Sequence, residues 1–266
     1  MAFLDRVRGA DVYDTILVFL YILAAIGIYK LGTDALITFA VTTTVAVAID
    51  FVIYTIRKRP VNFRSLRKAL ITASFVAFLM PPGVALYLPA LAATLAVLSK
   101  HVLHLPKKKH IFNPAAFGAF VTASLFALPV AWWGADAYAV WILGPLLIYR
   151  FKRLELPATL LLAYGVLSTV GLYAGLNTPR IDVVLMQNIP LVMLAFFMAT
   201  EPVTSPYTRN GRIVFGALAA VTIFSAGVVG GIDALLGGLL VANVFTPLIN
   251  RFTAPRLTQP QQSQTA

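Results

Sequence analysis

Apolar residues in this chain fall in blocks of roughly twenty, about the length a helix needs to cross the hydrocarbon layer of a bilayer. Ten such blocks stand out: 14–32, 34–56, 69–80, 84–104, 113–131, 137–150, 157–176, 181–199, 212–230 and 232–249. The alternation of apolar and polar positions that marks a membrane β-barrel is missing. Backbone groups in lipid must be satisfied within the segment, which leaves helices. The expectation is an all-α polytopic membrane protein of ten spans joined by short loops. A single integral membrane domain is expected over 1–256, with a polar, disordered tail over 257–266.

Composition agrees with the pattern. Of 266 residues, 59% are hydrophobic and 12% charged, against about 25% charged in soluble domains. There are no cysteines, which excludes disulfides, thiolate metal sites, cysteine-held iron–sulfur clusters and cysteine nucleophiles. Two arginines precede the first apolar run as in a signal peptide, but the run continues through Tyr29 and Lys30 with no clear small-residue cleavage site. It reads as a retained first span. The net charge of +11 is explained by loop lysines and arginines facing the cytoplasm, and nucleic acid is not expected as a partner. With both termini cytoplasmic, 19 of the 21 basic residues fall in inside segments, and only Lys30 and Arg180 fall outside. A missed or extra span scrambles that split.

The two halves resemble each other. FVAFLMPPG (75–83) near the end of span three is similar to AFFMATEPVTSP (195–206) at the end of span eight. Spans five and ten are both rich in small residues and carry asparagine. The implied repeat has five spans, about 1–133 and 134–256. Because five is odd, the second copy lies inverted in the membrane, an arrangement with sites at the repeat interface near broken helices.

Polar groups interrupt the spans at a few places. Span three has about twelve residues before Pro81-Pro82-Gly83, so it reaches only about 18 Å; either the chain turns at membrane depth or a tilted helix ends in a tight loop. Thr200-Glu201-Pro202-Val203-Thr204-Ser205-Pro206 packs a carboxylate, three hydroxyls and two prolines into seven residues. It reads as a ligand-binding break or as a capped helix end. Before span five stands Lys107-Lys108-Lys109-His110-Ile111-Phe112-Asn113-Pro114, with Asn113 a candidate N-cap whose helix N-terminus suits an electron-rich ligand atom. Both clusters fall on the cytoplasmic side by the charge count and are expected to converge on one site. Asp50, an intramembrane carboxylate, is a candidate proton or cation group, or the partner of the basic run 57–59. Asn243 reads as interhelical glue. The three histidines, all within 101–110, give no convincing haem or metal site.

At LMPPG, at KHIFNPAAFG (109–118), at FMATEPVTSP (197–206) and at NVFTPLINRFTAPR (243–256) the chain resembles the RnfD/NqrB family, the membrane subunits of Rnf and Na⁺-translocating NADH:quinone reductase complexes. With the span pattern the resemblance covers nearly the whole chain. It implies a ten-helix fold of inverted repeats, shaped like urea transporters, in the plasma (inner) membrane of a prokaryote. Partners would be membrane lipid and the other subunits of a redox complex. It also implies a non-covalent flavin, riboflavin or FMN, near the cytoplasmic side. Asn113 matches the family, His110 stands where asparagine is common, and Glu201 stands where aspartate is usual. Phe112, Thr200 and Thr204 are further candidates for flavin contacts, and Asp50 and Glu201 for coupling to ion or proton movement. The family's second, covalent FMN is held by a threonine between spans five and six. Here that connection is Trp132-Trp133-Gly134-Ala135-Asp136-Ala137, so covalent FMN is not expected. A urea-transporter-like channel and a non-redox scaffold role remain as alternative functions.

Overall fold

A computed structural model describes residues 11–105, 109–176, 178–230 and 233–254, leaving aside the side chains of Arg64, Leu105 and Lys109. The expected tail, the N-terminal arginines and Lys107 and Lys108 lie outside the described residues. The described chain is helical: α1 (Val12–Leu31), α2 (Thr33–Ile56), α3 (Phe63–Leu79), α4 (Tyr87–Val102), α5 (Pro114–Phe126), α6 (Ala137–Phe151), α7 (Glu155–Tyr173), α8 (Ile181–Gln187), α9 (Ile189–Met193), α10 (Arg209–Val229) and α11 (Ala234–Thr253). A two-residue antiparallel pair, β1 (His104–Leu105) with β2 (Lys109–His110), is the one strand pairing among the described residues.

Five of these helices, α1, α2, α7, α10 and α11, are long and apolar enough to cross a membrane, and the bent pair α8–α9 makes a sixth candidate. The helices α4, α5 and α6 are apolar but shorter. Large apolar side chains point outward as well as inward, among them Ile22, Leu36, Phe51, Ile142, Val166 and Val244. A helix apolar on both its packed and its open face suits lipid as the surrounding medium. The protein is therefore a multi-pass helical membrane protein.

Each element falls on an expected block, with three corrections. The third helix begins at Phe63, not near 69, because Asn62 and Ser65 close a reciprocal capping box that recruits the charged turn Phe63–Lys68. Its 17 residues reach about 25 Å rather than about 18 Å, so the helix is not unusually short. The fifth helix ends at Phe126, with Ala127 left-handed behind it. The chain then runs back over the end of α3, where Ala131 and Trp133 donate their backbone N–H to Leu79 and Phe78 carbonyls. That loop supplies the partners the end of α3 would otherwise lack. The eighth block is broken in its interior: α8 and α9 meet at Asn188 with a 75° bend, Pro190 sits at the start of α9, and one π turn follows over Leu194–Met198.

Packing links the helices in a regular way. In the first half α1 packs on α3, α2 on both α3 and α4, and α4 on α5. In the second half α6 packs on α9, α7 on both the π turn and α10, and α10 on α11. The halves touch through α1 with α6 and α5 with α11. Close approaches rest on glycine: a Cβ on Gly118 would lie 2.2 Å from the Ala92 carbonyl oxygen, and one on Gly238 2.5 Å from Ile223 Cα. These contacts hold α4 against α5 and α10 against α11.

Candidate functional site

The loop before α5 and the loop after the π turn meet. Asn113 is the N-cap of α5: its Oδ1 accepts from the Ala116 N–H at 3.0 Å, and Pro114 fills the first helical position, where no N–H is needed. The same side chain reaches the other half of the chain. Its Nδ2 donates to the Met198 carbonyl at 3.3 Å and to Glu201 Oε2 at 3.0 Å. His110 Nε2 lies 3.2 Å from Glu201 Oε1, and Thr204 Oγ1 donates to Glu201 Oε2 at 3.2 Å. Asn243 of α11 locks the junction: its Oδ1 accepts from the Asn113 backbone N–H at 2.9 Å, and Thr246 donates to the Thr204 carbonyl at 2.7 Å. The interhelical role expected of Asn243 is thus observed.

Pro202 has no N–H to give the Met198 carbonyl four residues before it, and that carbonyl accepts instead from the Glu201 backbone N–H at 3.3 Å and from Asn113. Thr200 donates its hydroxyl to the Phe196 carbonyl at 2.7 Å, within the same turn.

A cleft enclosing about 730 Å³ of empty space, its open mouth included, lies against this junction. Asn113, His110 and Glu201 form one edge. Phe75, Phe151, Phe197 and Tyr13 give aromatic walls, and Lys68 and Lys100 bring two ammonium groups. A second, more polar pocket of about 410 Å³ lies on the far side of Pro202 and Val203, with Thr204, Ser205, Asn243 and Asn250 on its walls and His110 shared.

Of the candidates named from sequence, His110, Asn113 and Glu201 line the cleft together, and Thr204 joins them through Glu201 while facing the second pocket. Thr200 is fully buried and bonded within its own turn. Phe112 stacks on Phe117, ring centres 5.6 Å apart, outside the cleft wall. Asp50 is elsewhere, between α2 and α4. It meets His101 Nε2 at 2.7 Å and Lys100 Nζ at 4.0 Å, and its partner is not the basic run 57–59. Tyr13, Lys68 and Lys100 were not candidates; nothing in their spacing signals that three separate helices bring them to one cavity.

The cleft lies toward one end of the bundle. Tyr13 on its wall is in the first turn of α1, and Lys30, in the last turn of that helix, is about 25 Å away along the axis. At the far end Lys30 pairs with Asp136, the N-cap of α6. The Lys30 ammonium, then the Ala139 backbone N–H, holds the Asp136 carboxyl below the usual carboxylate range.

Fold and site together define a polytopic helical membrane protein with an aromatic, basic-edged cleft where two polar loops converge. The model of the NQR2, RnfD, RnfE family matches residues 5–144 and 137–259, and the chain belongs to that family. Among curated relatives, the D subunit of the ion-translocating oxidoreductase complex of Escherichia fergusonii is 35% identical over 123 residues, 44% of this chain and 34% of the relative. The proteins of the same name from Citrobacter koseri and Klebsiella pneumoniae are 34% and 33% identical over the same shares. The matched stretch spans about a third of the length of these relatives.

Proposed function

We propose that this chain is a membrane electron-transfer subunit of an ion-translocating oxidoreductase complex, and that it holds a flavin non-covalently in the cleft beside Asn113 and Glu201. The observation that carries the reading is the meeting of His110 and Asn113 with Glu201 at the edge of an aromatic-walled cleft. The donor set suits a flat ring with a hydrogen-bonding edge. Phe75, Phe151 and Phe197 give apolar faces, Lys68, Lys100 and His110 would supply donors to a flavin, and Glu201 would supply an acceptor. A bound flavin supplies reversible electron transfer through its ring; the protein contributes the cavity, the hydrogen bonds and the charge around it. Lys68 and Lys100 favour a ring that gains negative charge on reduction, and the aromatic walls limit water at its faces. The connection between α5 and α6 offers no threonine for a phosphoester, which favours a flavin held without a covalent link.

The reading extends to topology. Ten passes in two inverted five-helix repeats, both termini cytoplasmic, agree with the distribution of basic residues and with the shared pairing scheme of the halves. The bacterial relatives and the apolar helices favour the plasma membrane of a prokaryote.

The test is the visible spectrum of gently purified full-length protein after flavin-supplemented expression, followed by acid precipitation. Flavin absorbance, and its release into the acid supernatant, is expected. Asn113→Ala and Phe197→Trp, checked for folding by thermal melting, should lose it. A colourless, folded protein sinks the reading and directs attention to solute flux in liposomes.

A further inference from the structure

Behind the cleft a line of buried polar side chains leads to the surface. Lys100 lines the cleft, and its Nζ is 4.0 Å from Asp50 Oδ2. Asp50 Oδ1 is 2.7 Å from His101 Nε2, and His101 Nδ1 is 3.3 Å from a terminal nitrogen of Arg57, which also donates to the His101 carbonyl. The Lys100, Asp50 and His101 side chains are 12%, 4% and 13% exposed, whereas Arg57 is exposed just past the end of α2. Lys68 of α3 lies near enough to act on both Asp50 and Lys100, and the Tyr54 ring stands edge-on to His101 at 6.4 Å.

The contacts fix the histidine tautomer. A guanidinium only donates, so Nδ1 accepts from Arg57, and the neutral ring carries its hydrogen on Nε2, donated to Asp50. A plain ion pair needs only Lys100 and Asp50. The added imidazole has a polar partner on each nitrogen, and the outer partner is an exposed side chain at the protein surface.

We propose that Lys100, Asp50 and His101 form a proton-transfer line into the cleft and that Arg57 is its gate. The assignment rests on the flavin reading for its purpose but not for its geometry. When Arg57 swings into solvent, Nδ1 takes a proton from water and the Nε2 proton passes to Asp50. Once the Lys100 nitrogen has given a proton to a group in the cleft, its side chain closes the 4.0 Å gap to hydrogen-bond distance and takes a proton from Asp50. One proton enters at Nδ1 for each that leaves at Nζ. The ring is left with its hydrogen on Nδ1, which Arg57 cannot bond, so the gate stays open until the ring turns over.

Two measurements test this. The full-length protein, ¹⁵N-labelled at its three histidines, is examined by NMR in nanodiscs, with His101→Gln to assign the signal. The parent ring is expected as the neutral tautomer with its hydrogen on Nε2 and an accepting Nδ1, and Arg57→Gln should move the Nδ1 resonance because the guanidinium donor is lost. A Nδ1–H ring in the resting parent, or an Nδ1 resonance unchanged by Arg57→Gln, overturns the proposal. In flavin-loaded protein, proton uptake on reduction, followed with a pH indicator, should slow about tenfold in Asp50→Asn at equal flavin content, a change of about 1.4 kcal/mol in the barrier. An unchanged rate also overturns it. If no flavin binds, the NMR measurement alone decides, since it needs no ligand.

Discussion

Replacing Asn113 by aspartate changes one heavy atom and isolates the contact that joins the halves. The N-cap survives, because a carboxylate oxygen still accepts from the Ala116 N–H. The donors to the Met198 carbonyl and to Glu201 are lost, and a second carboxylate faces Glu201 Oε2, now 3.0 Å from Asn113 Nδ2. At an effective dielectric of about 20, two like charges that close repel by about 5 kcal/mol. Sharing one proton relieves this, since a protonated carboxyl can donate where the amide did. The folded variant then binds a proton that the unfolded chain releases at neutral pH, so its stability falls as pH rises. At roughly 2–4 °C per kcal/mol for a chain near this size, the melting temperature should drop on the order of 10 °C relative to the parent between pH 5 and pH 8. Tryptophan fluorescence in detergent reads the transition. Glu201→Gln in the same chain should abolish the pH dependence. Melting curves of Asn113→Asp that run parallel to the parent at every pH would refute the contact.

Two further outcomes follow from the packing and the far end of the bundle. Gly118→Val puts carbon atoms where the Ala92 carbonyl oxygen, 2.2 Å from a Cβ, and the Ala96 nitrogen, 2.7 Å from it, already stand. The clash is with backbone, so α4 and α5 must separate, costing about 2–3 kcal/mol in a thermal or denaturant melt; an unchanged midpoint would show that the helices do not touch there. Asp136→Ala removes the cap of α6 and the partner of Lys30, and should cost about 1–2 kcal/mol at neutral pH. Because the folded Asp136 carboxyl sits low, that stabilisation is present above the ordinary carboxylate value of about 3.9 and is lost as pH falls through the lower folded value. Parent and variant melts should therefore converge in acid, and a constant gap would contradict the Lys30 contact.

The candidate residues separate by what kind of information locates them. Asn113 as a cap and Glu201 beside two prolines were legible because local backbone geometry demands such residues at a helix start or break. Asp50 was visible as a carboxylate in an apolar run. Its partner was not, because His101 and Lys100 sit on another helix. The capping box at Asn62 was open to reading, yet the charged turn behind it obscured the true start of α3. The interior break at Asn188 carried a local signal, the amides Gln187 and Asn188 followed by Pro190, but the long apolar block around it read as one unbroken span.

By itself the sequence determined the medium and the elements: blocks of apolar residues long enough for lipid, basic loops, and prolines and asparagines that start and stop helices. These follow from local physics, the cost of bare backbone in lipid and the fixed rise of a helix. Which side chains meet depends on how helices distant in sequence cross. Only the tertiary structure decided that Tyr13, Lys68 and Lys100 face Asn113 and Glu201 across one cleft, and that Asp50 pairs with His101. Those meetings are set by close packing through small residues such as Gly118 and Gly238, whose neighbours along the chain do not reveal what they touch.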